Sequence, residues 1–534
     1  MRLRWSVVAG TVLVACCLAV LSPLAGLKAA DRSATGAGTA GDAPQGEART
    51  ARVIAAASCA RQDVQEAIDA AQDGDTVLLP AGAATWTPLD ARTPSVLISG
   101  KMITLQGVGM DKTVITDGSP HAWTSLALVI QGAGRPFRVT GVTFRKGTDA
   151  RGANAISIAD SRDWRVDHCK FDYNGSGGAL FSYGDSFGVI DNCTIVRAYT
   201  AINSNGRGDA SWKMPLSLGT ADAVYIEDCT FIDVGPDGPT DAYAGARYVF
   251  RHNVVTKTDA VDSIGGVGHH GFDSGGYRST FSCEVYGNTF TGDGWLFGRS
   301  RGGTGVIFDN TVTGKVGFYL LVYYRSSDRE DIKRLCSGWG PMCDGTNPLD
   351  GNEDETGYPG RDQPGRATDA GPDTPQLLEP VYEWGNTLNG EDADLQPQDL
   401  GGRSLGHIKE GRDFYNDTKR PGYRPYPYPH PLRSQWPPLP PTDTSRPTVP
   451  QNLAARAVSE SRVELTWEPS ADDGAVAGYH VWLNGQKVTT ITDPDYTRYT
   501  FLRLRPPLAG YVFAVSAFDG AGNESEPCPA AKLD

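Results

Sequence analysis

Val166-Asp-His-Cys169-Lys-Phe171, Ile190-Asp-Asn-Cys193-Thr-Ile195 and Ile226-Glu-Asp-Cys229-Thr-Phe231 follow one six-residue pattern. Phe250-Arg-His-Asn253-Val-Val255, Val285-Tyr-Gly-Asn288-Thr-Phe290 and Ile307-Phe-Asp-Asn310-Thr-Val312 continue it, and Val139-Thr-Gly-Val142-Thr-Phe144 is a weaker predecessor. The pattern is apolar, two polar, Cys or Asn, any residue, apolar. Its fourth positions fall at 142, 169, 193, 229, 253, 288 and 310. The short steps suit one turn of a coil built from short strands, and the two long ones suit a coil carrying an inserted loop. A single repeat has too little apolar surface to fold alone, so the repeats must stack and share a core. This predicts an all-β fold, a right-handed parallel β-helix whose equivalent side chains form ladders at about 4.8 Å. Asn at the bend would hydrogen-bond neighbouring coils, and Cys would pack there as a small apolar group. Cys169, Cys193 and Cys229 are read as ladder thiols, with disulfide pairing as the alternative.

Composition agrees. The 534 residues are 40% hydrophobic and 21% charged, a globular balance too long for one ordinary domain. Gly (64) and Pro (35) are abundant, which favours turns over long helices. A net charge of −14 repels phosphate backbones, so nucleic acid is excluded as a partner. Arg2 and Arg4 precede an apolar run to Leu27, and Ala29-Ala30 follows, the pattern of an export signal or retained anchor. Leu13-Val-Ala-Cys16 also resembles a lipobox, leaving lipidation at Cys16 open. A secreted or cell-surface protein is expected, monomeric, with no membrane contact beyond that segment. Cys336 and Cys343, enclosing a turn-rich loop, are the most plausible disulfide.

Around the repeats, Asp63-Val-Gln-Glu-Ala-Ile-Asp-Ala-Ala-Gln72 has a helical apolar period. With Gly74-Asp-Thr-Val-Leu-Leu-Pro-Ala-Gly82, it resembles the N-terminal cap and first coil of the pectate-lyase-like superfamily. The region 60–434 also looks like a group of secreted bacterial β-helix proteins through Tyr248–Asn253, His269-His270-Gly271, Glu284–Phe290 and Leu378–Trp384, a likeness that implies no activity. Pro450-Gln-Asn-Leu453, Val463-Glu-Leu-Thr-Trp467, Gly478-Tyr-His-Val-Trp482 and Tyr511-Val-Phe-Ala-Val515 alternate as half-buried strands. They resemble a fibronectin type III sandwich with Trp467 in its core and Tyr511 near its tyrosine corner. The expected organisation is an export segment (1–30), a linker (31–57), the β-helix with long loops after 326 (58–434), a Pro-rich linker (435–447) and the sandwich (448–534).

In the stacked pattern, the first polar position forms a column of Asp167, Asp191, Glu227, Arg251, Tyr286 and Phe308. The second reads His168, Asn192, Asp228, His252, Gly287 and Asp309. Carboxylates on successive coils would lie about 5 Å apart and repel, which calls for a cation or a shared proton. Val166-Asp167-His168 is similar to the Ile-Asp-His motif of pectate lyases, whose Asp binds Ca²⁺; here Arg165 stands where that family has Trp. The resemblance implies Ca²⁺ on Asp167, Asp191 and Glu227, with Arg251 or His252 removing a proton from a uronate. Alternatively, two carboxylates such as Asp191 and Glu227 would be the acid and the base or nucleophile of a glycosidase. A solvated polar ladder without chemistry is the remaining possibility. His269-His270-Gly271 through Tyr277-Arg278 lies in a Gly-rich insert, so His270 and Arg278 are added as catalytic candidates, with Tyr277 and Tyr286 as substrate-binding ones. The expected function is binding and degradation of an extracellular polysaccharide, by hydrolysis or β-elimination. A noncatalytic adhesin or surface-structural protein is the alternative.

Overall fold

The computed structural model describes residues 50–534 apart from 91–92, 120–127, 148–153, 175–176, 213, 236–237, 258–266, 269–278, 294–297, 301, 322–363, 368–375, 399–407, 437–444, 473–475, 492–493, 502–503, 520–522, 530 and 534. The export segment, Cys336, Cys343, His270, Tyr277 and Arg278 lie outside the described residues.

Each turn of the coil supplies a strand to each of three parallel sheets in order. Arg162–Asp167 joins the first sheet, Lys170–Asp172 the second and Gly178–Tyr183 the third. The next turn repeats this with Phe187–Asp191, Thr194–Val196 and Thr200–Asn205. The sheets hold 12, 11 and 6 strands. The chain is therefore all-β, a right-handed parallel β-helix followed by a β-sandwich. Among the described residues no helix is long and apolar enough to cross a membrane.

Period-two alternation decides which side chains face in. Val166, Ile190, Ile226, Phe250, Val285 and Ile307 pair in one register and are all buried in the core. Phe171, Ile195, Phe231, Val255, Phe290 and Val312 do the same in the second sheet. Each such side chain contributes about 1.5–3 kcal/mol by leaving water, and a register slip would expose the whole row.

Two positions make the bend between the first and second sheets. His168, Asn192, Asp228, His252, Gly287 and Asp309 all have φ between +50° and +65°. This left-handed conformation is cheapest for Gly and tolerable for Asn, Asp and His, which explains the column's composition as a backbone requirement. The following residue turns inward. Cys169, Cys193 and Cys229 are buried free thiols, as expected of ladder positions. From Asn253 on, amides take over. Asn253 donates N–H and Nδ2 to Asn288 Oδ1 (2.9 and 3.1 Å), Asn288 does so to Asn310, and Asn310 to Asn386. Each Nδ2 also reaches a carbonyl of an earlier strand, Asn288 finding Phe250 O at 2.8 Å.

A helix, α1 (Arg61–Ala70), lays Val64, Ala67 and Ile68 over the N-terminal end of the coil core, where apolar surface would otherwise meet water. The sandwich pairs Gln451–Ser459, Arg462–Glu468 and Arg498–Phe501 in one antiparallel sheet. Val476–Leu483, Gln486–Ile491, Val512–Asp519 and Ala531–Lys532 form the other. Trp467 meets Tyr479 edge-on at 5.3 Å between them, in a core with Val463, Leu465, Phe513 and Val515.

Candidate functional site

The register places Asp167, Asp191, Glu227, Arg251, Tyr286 and Phe308 in one outward column of the first sheet. The surroundings differ from those expected. Asp167, Asp191, Glu227 and Arg251 are all fully buried, because a strap formed by residues 418–436 lies over them. The strap runs back along the column from its C-terminal end. Thr418 N donates to Glu383 O, Tyr423 OH to Glu284 Oε2, and His430 N to Glu227 Oε1. Arg251 donates to the carbonyls of Tyr426 (2.7 Å) and Pro427 (2.9 Å). The short helix α2 (Leu432–Gln435) ends it, with Arg433 bonded to Glu227 and Asp228 and Arg165 Nη1 donating to Arg433 O.

Beneath the strap, each carboxylate is neutralised by a guanidinium. Arg138 grips Asp167 through two bonds of 2.7 Å, and Arg165 grips Asp191 through two of 2.8 Å. Arg251 reaches Glu227 at 2.8 and 2.6 Å. Burial alone would raise the Asp167 pKa, yet Arg138, His168 and Arg165 outweigh it and hold the carboxylate at about 2. Thr140, Asn192 and the His430 amide use further oxygen lone pairs. These acids accordingly do not fit Ca²⁺, which needs six or more oxygen ligands carrying uncompensated charge. Repulsion between stacked carboxylates was a sound premise, but three arginines resolve it where a metal was expected.

The other placed candidates fare similarly. His252 occupies a left-handed bend, its ring 3.9 Å from that of Tyr428 of the strap, and burial with neighbouring Arg251 lowers its pKa. Tyr286 is 5% exposed, stacks on Phe308 at 4.5 Å and accepts a hydrogen bond from Arg251. Neither faces an open groove. A separate acidic trio, Glu383, Asp394 and Asp417, gathers carboxylate oxygens within 4.8 Å near the last coils. Glu383 is committed to Asn386 Nδ2 and the Asp417 amide.

The third sheet carries the polar, aromatic face that sequence reasoning missed. Its outward registers read Ser157, Phe181, Asn203, Asp241 and Ala159, Tyr183, Asn205, Tyr243. Phe181, Tyr183, Asn203 and Tyr243 are part-exposed, and the Oδ1 atoms of Asn203 and Asn205 have no hydrogen-bond partner. At the rim, Arg207 lies between Asp160 and Asp185. The strand Val267–Gly268, which packs beside Gly238–Tyr243, leads directly into His269. Alternation in Thr200-Ala-Ile-Asn-Ser-Asn205 was the available signal. It went unread because attention stayed on the hexads.

Residues 448–531 match the fibronectin type III domain family. This segment is 41% identical over 88 residues to exoglucanase B of Cellulomonas fimi, covering 16% of this chain and 8% of that protein. It is 36% identical over 87 residues to chitinase A1 of Niallia circulans, covering 16% and 12%. The chain thus spans a small fraction of these relatives' length, confined to the sandwich. Among solved structures, an alginate lyase from Paenibacillus sp. str. FPU-7 aligns with 51% of this chain and 94% of its own at 14% identity and a TM-score of 0.29.

Proposed function

We propose that this is an exported carbohydrate-active protein that holds an extracellular polysaccharide along the outer face of the third sheet and cleaves it there, by glycosidic hydrolysis or β-elimination. The observation that carries the reading is the pair of registers Phe181–Asn203–Asp241 and Tyr183–Asn205–Tyr243. Part-exposed rings and amides repeat there at the coil spacing on a flat face, while the first sheet is filled by the protein's own strap. Aromatic rings offer apolar area to sugar faces, and amides and a carboxylate offer directional bonds to hydroxyls. The sandwich supports the reading because it is shared with proteins named as exoglucanases and chitinases. One observation favours the second reading, a noncatalytic adhesin: the acids of the first sheet are already neutralised by arginines.

A panel of neutral and acidic polysaccharides, assayed for binding, for reducing ends and for unsaturated ultraviolet-absorbing products, separates the readings. Tyr183→Ala and Tyr243→Ala should each weaken binding about tenfold, the loss of roughly 1.4 kcal/mol of contact. Binding untouched by both substitutions refutes the third-sheet assignment. Binding without either product identifies an adhesin.

A further inference from the structure

Arg247 sits at the corner where the third sheet's chain enters the first, and only 3% of it is exposed. Its neighbours Arg138, Arg165 and Arg251 are equally buried, and each has a carboxylate at 2.6–2.8 Å. Arg247 has none. Its Nη1 donates to Ser217 Oγ at 2.8 Å, its Nη2 to Ser211 O at 3.1 Å, and its Nε is buried without a partner. The guanidinium lies over the Phe281 ring at 4.6 Å, which shields that side from water. The nearest acids serve other partners. Asp222 pairs with Arg162 at 2.9 Å, and Asp185 with Arg207 at 3.5 Å and Ser211 Oγ at 3.4 Å. A buried cation without a counter-charge is costly, far more so than an unsatisfied neutral group.

Beside it is a cavity of about 10 Å³, room for a single water-sized species. Arg247 lines it together with Asn205, which is 6% exposed and whose Oδ1 also lacks a partner. The hydroxyl-bearing residues Ser182, Ser186, Ser204 and Ser211 complete the polar part of its wall. Half a turn of the Asn205 amide presents its NH₂ instead, adding a second donor beside Arg247 Nε.

We propose that this cavity is a binding site for a small monovalent inorganic anion of the halide class, held by Arg247 Nε and the Asn205 amide. A polymer carboxylate is too large for it, and a water would leave the charge uncompensated. The anion ties the third-sheet strand Thr200–Asn205 to the loop holding Ser211 and Ser217, and so stabilises that corner.

The test uses the full chain crystallised in sodium bromide. An anomalous bromine peak beside Arg247 Nε is expected, and density there with water's height and no anomalous signal overturns the proposal. In solution, Tm should rise with chloride above the curve in sodium gluconate of equal ionic strength, and Arg247→Met should abolish that difference. Coincident curves for the unaltered protein, or a chloride increment that survives in Arg247→Met, refute it. The bromide measurement decides the matter if the variant does not fold.

Discussion

Replacing Glu227 separates a structural column from a catalytic one. Its carboxylate receives Arg251 Nε at 2.8 Å, Arg251 Nη2 at 2.6 Å, Arg433 Nη1 at 3.0 Å and the His430 amide at 2.9 Å. Truncating one member of a buried ion pair costs about 3–5 kcal/mol, mostly for the charge left behind. In Glu227→Ala that charge is Arg251, which still reaches Tyr286 and the Tyr426 and Pro427 carbonyls. The lower end, about 3 kcal/mol, is therefore expected. At 1.4 kcal/mol per decade, this is roughly a hundredfold shift toward strap release. Hydrogen exchange at the His430 amide reads it directly, as a protection factor about a hundredfold lower. Turnover per folded molecule on the polysaccharide found by the panel should stay within about threefold in Glu227→Gln, whose shape preserves the packing. Unchanged His430 protection in Glu227→Ala would refute the ion-pair argument. A folded Glu227→Gln with an intact strap and a hundredfold loss of turnover would make the first-sheet column catalytic after all.

Three further outcomes follow from the same geometry. Asn288→Ala removes four buried hydrogen bonds and orphans the Phe250 carbonyl and the Asn253 amide; at about 1–3 kcal/mol per stranded group, a loss of about 2–6 kcal/mol is expected in urea unfolding. His430 is held at about 4, by burial first and by the nearby arginines against Glu227, whereas a free His titrates near 6.5. The neutral ring stabilises the strap fully above pH about 6.5, and that contribution disappears as pH falls toward 4 because the released strap binds the extra proton. Limited proteolysis of the strap should therefore quicken across that window, and a His430→Gln strap cut at a constant rate confirms it. Burial raises the pKa of Cys169 and Cys193 well above that of a free thiol, so iodoacetamide with peptide mapping should find both, and the equally buried Cys229, unmodified until the coil unfolds.

The hexads made the coil legible because its physics is local and periodic. A buried apolar residue, a left-handed bend and a small or amide residue must recur wherever the chain turns the same corner. The vertical register of Asp167, Asp191, Glu227 and Arg251 followed from that alone. What covers the column did not, since Arg433 meets Glu227 across 206 residues of sequence and no repeat announces a non-local contact. Arg424-Pro-Tyr-Pro-Tyr-Pro-His-Pro431 was readable as stiff and extended, but stiffness is equally a property of a linker and of a strap. The rung at Asn386 escaped for a different reason. Its strand Val381–Trp384 places Glu383 in the register of Ile307, so the leading apolar residue of the pattern is missing. The bend column was misjudged as candidate chemistry because Asn, Asp and His serve a positive φ as readily as they serve a substrate.

The strap also has a mechanical consequence. Beyond Trp436 the chain continues only to the sandwich, so a pull on that module arrives at the coil through Arg433, His430 and the residues before them. Tension applied there is borne by guanidinium–carboxylate clasps loaded along the cylinder, many at once, before any rung of the spiral is asked to open. A tether attached at the far end of this chain would thus be fastened to the cylinder's side over several turns, like a rope lashed along a mast.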